Sequence, residues 1–158
     1  MLLAGGADAA KAKHDGRTPL HMLAQPTAGS DEAGGFVQAL LRCVDDEEAV
    51  LEARDCNGLS PLLAACHFGN VEVATALIEA GADVDATATV HGSTPLMLTL
   101  AGESEGEVQR SLLELLLDAD ASVPGPADAR GLTALDHAEE CGRPELASLL
   151  QKRVLACS

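Results

Sequence analysis

Apolar positions along this chain fall into short stripes at helical spacing rather than into long runs. The clearest stripe lies between Val71 and Asp85, where Val73, Ala74, Leu77 and Ile78 recur three and four residues apart. That spacing puts all four on one face of a helix. Gly81 follows the stripe and predicts a left-handed cap at the helix end. Upstream, Ser60 and Pro61 predict the start of another helix. The hydroxyl can accept from the first free N–H groups, and proline sits where its missing N–H costs nothing. This helix runs about two turns and ends at Gly69. Gly58, just before it, supplies the positive φ that a tight turn needs. Neither helix can bury its stripe alone, so the pair must stack on neighbours of the same kind.

Those neighbours are in the sequence. Four segments align with one another: Asp15-Gly16-Arg17-Thr18-Pro19-Leu20-His21, Asn57-Gly58-Leu59-Ser60-Pro61-Leu62-Leu63, His91-Gly92-Ser93-Thr94-Pro95-Leu96-Met97 and Arg130-Gly131-Leu132-Thr133-Ala134-Leu135-Asp136. Their hydroxyl residues stand 42, 34 and 39 positions apart. The second helix recurs as well. Leu115-Leu116-Leu117-Asp118-Ala119-Asp120-Ala121-Ser122-Val123 echoes part of the Val71–Asp85 stretch, and Leu2-Leu3-Ala4-Gly5-Gly6-Ala7-Asp8 echoes it at the start.

The D-G-x-T-P-L-H segment and Leu77-Ile78-Glu79-Ala80-Gly81-Ala82-Asp83-Val84-Asp85 resemble ankyrin repeats, whose period is about 33 residues. The resemblance covers nearly the whole chain. It implies an all-α repeat solenoid of helix-turn-helix units joined by β-hairpin loops. The expected units are a partial repeat over 1–14, repeats over 15–56, 57–90 and 91–129, and a capping repeat over 130–158. Relative to the family period the spacings carry insertions, expected as loops at 25–35, 45–48, 102–107 and 124–126, where Gly, Pro and acidic residues gather. His21 alone keeps the family's buried histidine; Leu63, Met97 and Asp136 stand in its place, so bonds between units should be missing there. The chain begins inside a unit, which fits either a monomer with a truncated first repeat or a fragment of a longer array. Its far end, Arg143 to Arg153, is polar and basic, as a terminal cap requires.

Composition sharpens this picture. The chain has 158 residues, 47% of them hydrophobic, with two Phe and no Trp or Tyr. Thin repeats explain the shortage of aromatics, because small side chains let helices of successive units approach closely. Twenty-five acidic against ten basic residues leave a formal charge of −15. That argues against direct nucleic-acid binding, which relies on Lys and Arg neutralising phosphates. No apolar run approaches the roughly 20 residues a membrane span needs, so no membrane association is expected. Five cysteines without a C-x-x-C pair predict reduced thiols in an intracellular protein, cytoplasmic or nuclear.

Catalytic signatures are missing: there is no G-x-G-x-x-G, G-x-x-x-x-G-K-[ST], H-E-x-x-H or G-x-S-x-G. The nearest metal constellation combines Cys66 and His67 with His14 and Cys56. The last two belong to adjacent turns, and packed units lie about 8–10 Å apart, too far for zinc bonds of about 2.0–2.3 Å. No metal, cofactor or small-molecule substrate is expected, and the chain is read as a non-enzyme. The acidic runs Asp45–Glu48 and Glu103–Glu107 are read as solvated connections. Asp85 falls where ankyrin repeats often carry an Asn or Asp that can be hydroxylated.

The family binds other proteins with its hairpin tips and the exposed edge of its first helices. Carried across by register, the partner-binding strip comprises tip residues His14, Asp15 and Arg17; Cys56, Asn57 and Leu59; Val90 and His91; Arg130 and Leu132. Helix-edge residues Gln25, His67, Phe68 and Glu140 complete it. Phe68 is either an aromatic anchor for a partner or a ring folded back over Leu59 and Val90. His14, His67 and His91 would make binding sensitive to pH between about 5 and 7. The expected function is a protein-protein interaction scaffold. Two alternatives remain: a regulatory or targeting domain of a larger enzyme, and a likeness to the cytoplasmic inhibitors that hold transcription factors of the Rel/NF-kappaB family.

Overall fold

The computed structural model describes residues 12–25, 32–102 and 106–156. Helices follow one another as α1 (Pro19–Ala24), α2 (Ala33–Leu41), α3 (Glu47–Leu51), α4 (Pro61–Phe68), α5 (Val71–Glu79), α6 (Pro95–Ala101), α7 (Gly106–Asp118), α8 (Ala134–Glu140) and α9 (Pro144–Ala156). Four of them start where a hydroxyl residue holds the chain extended: Thr18, Ser60, Thr94 and Thr133 all sit at ψ 166–171° before the first helical turn. Ser60, Thr94 and Thr133 accept from the N–H three residues on, which satisfies a donor that has no partner within the helix. Gly69 then ends α4 in the left-handed region, at φ 78°.

The helices form two rows. The inner row is α1, α4, α6 and α8, each packed on the next, and the outer row begins α2, α5, α7. Within each unit the pairs α1–α2, α4–α5, α6–α7 and α8–α9 pack together. The core between the rows is aliphatic: Leu20, Leu62, Leu63, Leu77, Leu96, Leu112, Leu113, Leu116 and Leu150 are all but inaccessible to solvent. Each contributes about 1.5–3 kcal/mol by leaving water. Neither phenylalanine belongs to it. Phe36 is 51% exposed on α2, and Phe68 is half-buried at the end of α4.

Tight turns project from the inner row, and backbone bonds close them. Asp55 N–H donates to Leu59 O at 3.0 Å, Ala88 to Ser93 at 2.9 Å and Asp128 to Leu132 at 2.9 Å. Adjacent tips are tied by single bonds, from Cys56 N–H to Asp15 O, Thr89 N–H to Gly58 O and Ala129 N–H to His91 O. One bond per pair of tips does not make a ladder, and no strand forms among the described residues. Gly58, at φ 73°, lies so close to Thr89 that a Cβ there would stand 2.9 Å from its backbone nitrogen. Carboxylates supply a second link between units. Glu52 accepts from Asp83 N–H at 3.0 Å, and Asp85, at the equivalent place one unit on, accepts from Ser122 N–H and its hydroxyl.

Several expected connections are helical instead. Gly34 and Gly35 lie inside α2, because Gly34 can then donate its N–H to Glu72 of α5 at 3.1 Å and approach Ala76 without a side chain between. The acidic run at 45–48 is a connection only as far as Asp46, which caps α3 by accepting from Ala49 N–H; Glu47 and Glu48 occupy its first turn, where negative charge suits the helix dipole. Glu107 likewise belongs to the first turn of α7. The Pro-Gly-Pro segment 124–126 is irregular, as expected. The early echo at Leu2–Asp8 and the loop positions 26–31 and 103–105 lie outside the described residues.

At the far end, Arg153 lies in the last turn of α9. It crosses to α7, donating to the carbonyl of Leu117, with Asp120 at 3.9 Å. The outer row opens there: a cleft of about 400 Å³ between α7 and α9 has Leu117, Leu149 and Ala156 among its walls.

Candidate functional site

A hollow lies between the inner row and the first three tips. Its volume is about 410 Å³. Arg17, Gln25, Cys56, Asn57, Leu59, His67, Phe68, Val90 and His91 all line it, each of them a residue assigned by register, and His21, Asp55, Ala64 and Leu98 complete the wall. The remaining assigned residues stand elsewhere. His14 is exposed on the first tip, and Asp15 accepts from Arg17 N–H beside the groove. Arg130 and Leu132 belong to the last tip; Glu140 sits opposite Arg130 at 3.6 Å.

Sequence reasoning passed over Ala64 and Leu98, which stand four residues after the helix-capping hydroxyl. His137 holds the same place in the last unit and Met22 in the first. That shared position was the available signal, since one turn beyond the cap a helical side chain points back toward the tips.

Two arrangements fix the groove's floor. His21 is buried, and its Nδ1 accepts from both the amide and the hydroxyl of Thr18, at 3.2 and 2.9 Å. The proton must then sit on Nε2, which donates to Leu59 O of the next tip at 2.9 Å. Desolvation by burial is the largest influence on this imidazole and lowers its pKa. Of the four equivalent residues only His21 reaches the next unit. Leu63 makes no such bond, Met97 offers only its sulfur to Thr94 N–H, and Asp136 binds its own cap, Thr133. The second arrangement is Asp55, whose Oδ1 accepts from Asn57 N–H and Leu59 N–H at 2.9 and 3.0 Å. Its other oxygen lies 3.8 Å from Arg17 Nε.

Above the floor the surface is mixed. Phe68 meets His67 edge-to-face, with ring centroids 5.1 Å apart and an interplanar angle of 64°. The ring is therefore neither bare nor hidden: it forms one wall of the groove that Leu59 and Val90 also line, and Val90 is 56% exposed.

The last tip carries its own buried cluster. Asp128 accepts from Leu132 N–H and Arg130 N–H, and its other oxygen lies 3.0 Å from His137 Nε2. Burial alone would raise this carboxyl, but those hydrogen bonds outweigh it and bring the pKa down to about 2. Cys66 is fully buried beneath the groove, and burial pushes its thiol up to about 12, so it stays protonated. A protonated thiol is neither nucleophile nor metal ligand. Among the described residues, no group of three or more His, Cys, Asp or Glu side chains is placed to hold a metal ion. Nor is any described helix long and apolar enough to cross a membrane.

Comparison with known proteins agrees with this architecture. Over 113 residues the chain is 31% identical to the B-cell lymphoma 3 protein homolog of Mus musculus, covering 72% of this chain and 24% of that protein. Over 78 residues it is 40% identical to the ankyrin repeat and KH domain-containing protein mask of Drosophila melanogaster, covering 49% of this chain and 2% of that protein. The chain thus spans about a quarter of the first relative's length and far less of the second's. The family model for ankyrin repeats, in three copies, matches residues 1–88, more than half of the sequence. With stacked helix pairs, hydroxyl-proline entries and projecting tips, the chain belongs to the ankyrin-repeat family.

Proposed function

We propose that this chain is a non-enzymatic protein-binding module that takes a segment of its partner into the groove between its tips and inner helices. Ankyrin repeats mediate protein-protein interaction. The observation that carries the narrower reading is convergence: nine residues chosen by register alone line one hollow. Its walls pair apolar surface from Leu59, Phe68 and Val90 with uncharged hydrogen-bonding groups from Gln25 and Asn57, a mixture suited to a peptide's side chains and backbone. The test is affinity purification followed by quantitative mass spectrometry. Partners captured by the wild type should be lost with Leu59→Asp and Phe68→Asp and retained with Phe36→Asp, which alters exposed apolar surface on α2 outside the groove. Equal recovery by all three variants would overturn the reading.

A second reading is that the module serves a larger polypeptide, as a regulatory or targeting part. It is favoured by the length of both relatives, several times that of this chain. Immunoblotting of the native protein checks it, since a band at the mass of 158 residues would exclude it.

A further inference from the structure

The groove is not neutral in the charges it offers to a ligand. Asp55 is the only acidic residue lining it, and 4% of its side chain is exposed. One of its oxygens is already committed to two backbone N–H groups. The carboxylate is therefore part of the floor and not available from outside. Arg17 differs: 30% of its side chain is exposed, and its recorded ion pairs, to Asp15 and Asp55, both run through Nε at 3.7 and 3.8 Å. Charge-assisted hydrogen bonds are about 2.7–2.9 Å long, so neither pair saturates the guanidinium. Lys13 and His14 are exposed on the same tip. Asp15 on this tip, its side chain 43% exposed, offsets one of these charges, which leaves Arg17 and Lys13 as the cationic excess; beside them lie Leu59, Phe68 and Val90.

Resting on the protein-binding reading above, we infer that the groove's ligand is a short peptide segment with a bulky apolar side chain and a neighbouring carboxylate. The apolar side chain sits between Phe68, Leu59 and Val90, and the carboxylate is taken by Arg17. The acidity of the whole molecule does not oppose this. Glu79, Glu107, Glu114, Asp118 and Glu145 belong to helices or helix ends of the outer row, a helix diameter of about 10–12 Å from the inner row. Screening at physiological salt acts over about 8 Å. What the acidic body does restrict is length: a segment with many acidic residues beyond the groove is repelled, so the carboxylate recognised is the one next to the apolar anchor.

The test uses the full chain and four sets of short fluorescein-labelled peptides. One set carries Phe-Leu beside two Asp, one the same pair beside two Lys, one the same pair beside two Ser, and one two Asp beside Ala-Ala. Binding is read by fluorescence anisotropy and by shifts in the backbone amide resonances of groove residues. The Phe-Leu-Asp set should bind about tenfold tighter than the serine set, the gain expected of a charged hydrogen bond. Arg17→Gln should abolish that difference, Arg17→Lys should keep part of it, and Phe68→Ala should weaken every Phe-Leu set. Should Arg17→Gln fail to fold, the ranking of peptides on the wild type still decides. A preference for the lysine set, or equal binding of the aspartate and serine sets, overturns this inference and leaves the protein-binding reading standing. Groove amides that respond to none of the four sets count against both.

Discussion

At the scale of single residues, one histidine controls more than its own unit. His21 caps α1 through Nδ1 and holds the next tip through Nε2; the capping bonds, accepted by Nδ1, require the neutral ring. An unfolded chain takes up this proton near its ordinary pKa of about 6.5, whereas folded His21, its pKa lowered by burial, takes it up only at lower pH. Between those values the unfolded state binds more protons, so stability rises with pH. The stabilisation is complete above about pH 6.5 and fades as the solution is acidified. Urea midpoints measured from pH 7 down to pH 5 should therefore fall more steeply for the wild type than for His21→Leu, which copies Leu63. The variant should also be less stable at pH 7, having lost the bond to Leu59. Parallel pH profiles would show that His21 is not the titrating group.

At the scale of elements, each helix end reports how strictly the repeat is obeyed. The second helix of the best-formed unit ends at Gly81, φ 95°; in the following unit the equivalent residue is Asp120, held at φ 62°. A side chain in that region is strained, and the carboxylate gives little in return, being 96% exposed and 3.9 Å from Arg153. Asp120→Gly should thus raise stability by about 0.5–1 kcal/mol, read as a higher thermal midpoint. A lower midpoint would show that the link to Arg153 outweighs the strain. Element ends were also where sequence reading was weakest. Gly34 and Gly35 sit in a stretch expected as a loop, yet both lie within α2, where Gly34 faces Glu72 and Ala76 of the neighbouring helix and Gly35 faces open space. Glu47 and Glu48 are solvated as expected, yet they form the first turn of α3 rather than a connection, with Asp46 as its cap. By contrast α4 begins and ends where Ser60 and Gly69 said it would, and α5 stops just before Gly81, because a cap is a local event between residues three or four apart.

At the scale of the whole molecule, the units hold one another through neighbours alone, and a charge of −15 works against bringing them together. Screening should relieve that repulsion. The thermal midpoint should rise between about 20 mM and about 300 mM sodium chloride, as the screening length shortens; a midpoint that falls would place net stabilisation in ion pairs such as Arg17 with Asp55. By itself the sequence determined the repeat, the caps, the aliphatic core and the family, since these follow from periodicity and local hydrogen bonding. The register even named most of the residues that line the groove. Only the tertiary structure decided which of them meet. Arg130, Leu132 and Glu140 hold the same repeat positions as groove residues but lie at the far tip, where Arg130 is paired with Glu140 and Asp128. Whether Arg17 or Asp55 is exposed in the groove was also beyond the sequence. It depends on burial and on bonds that already occupy Asp55, and a linear pattern carries no information about which of two neighbouring charges is covered.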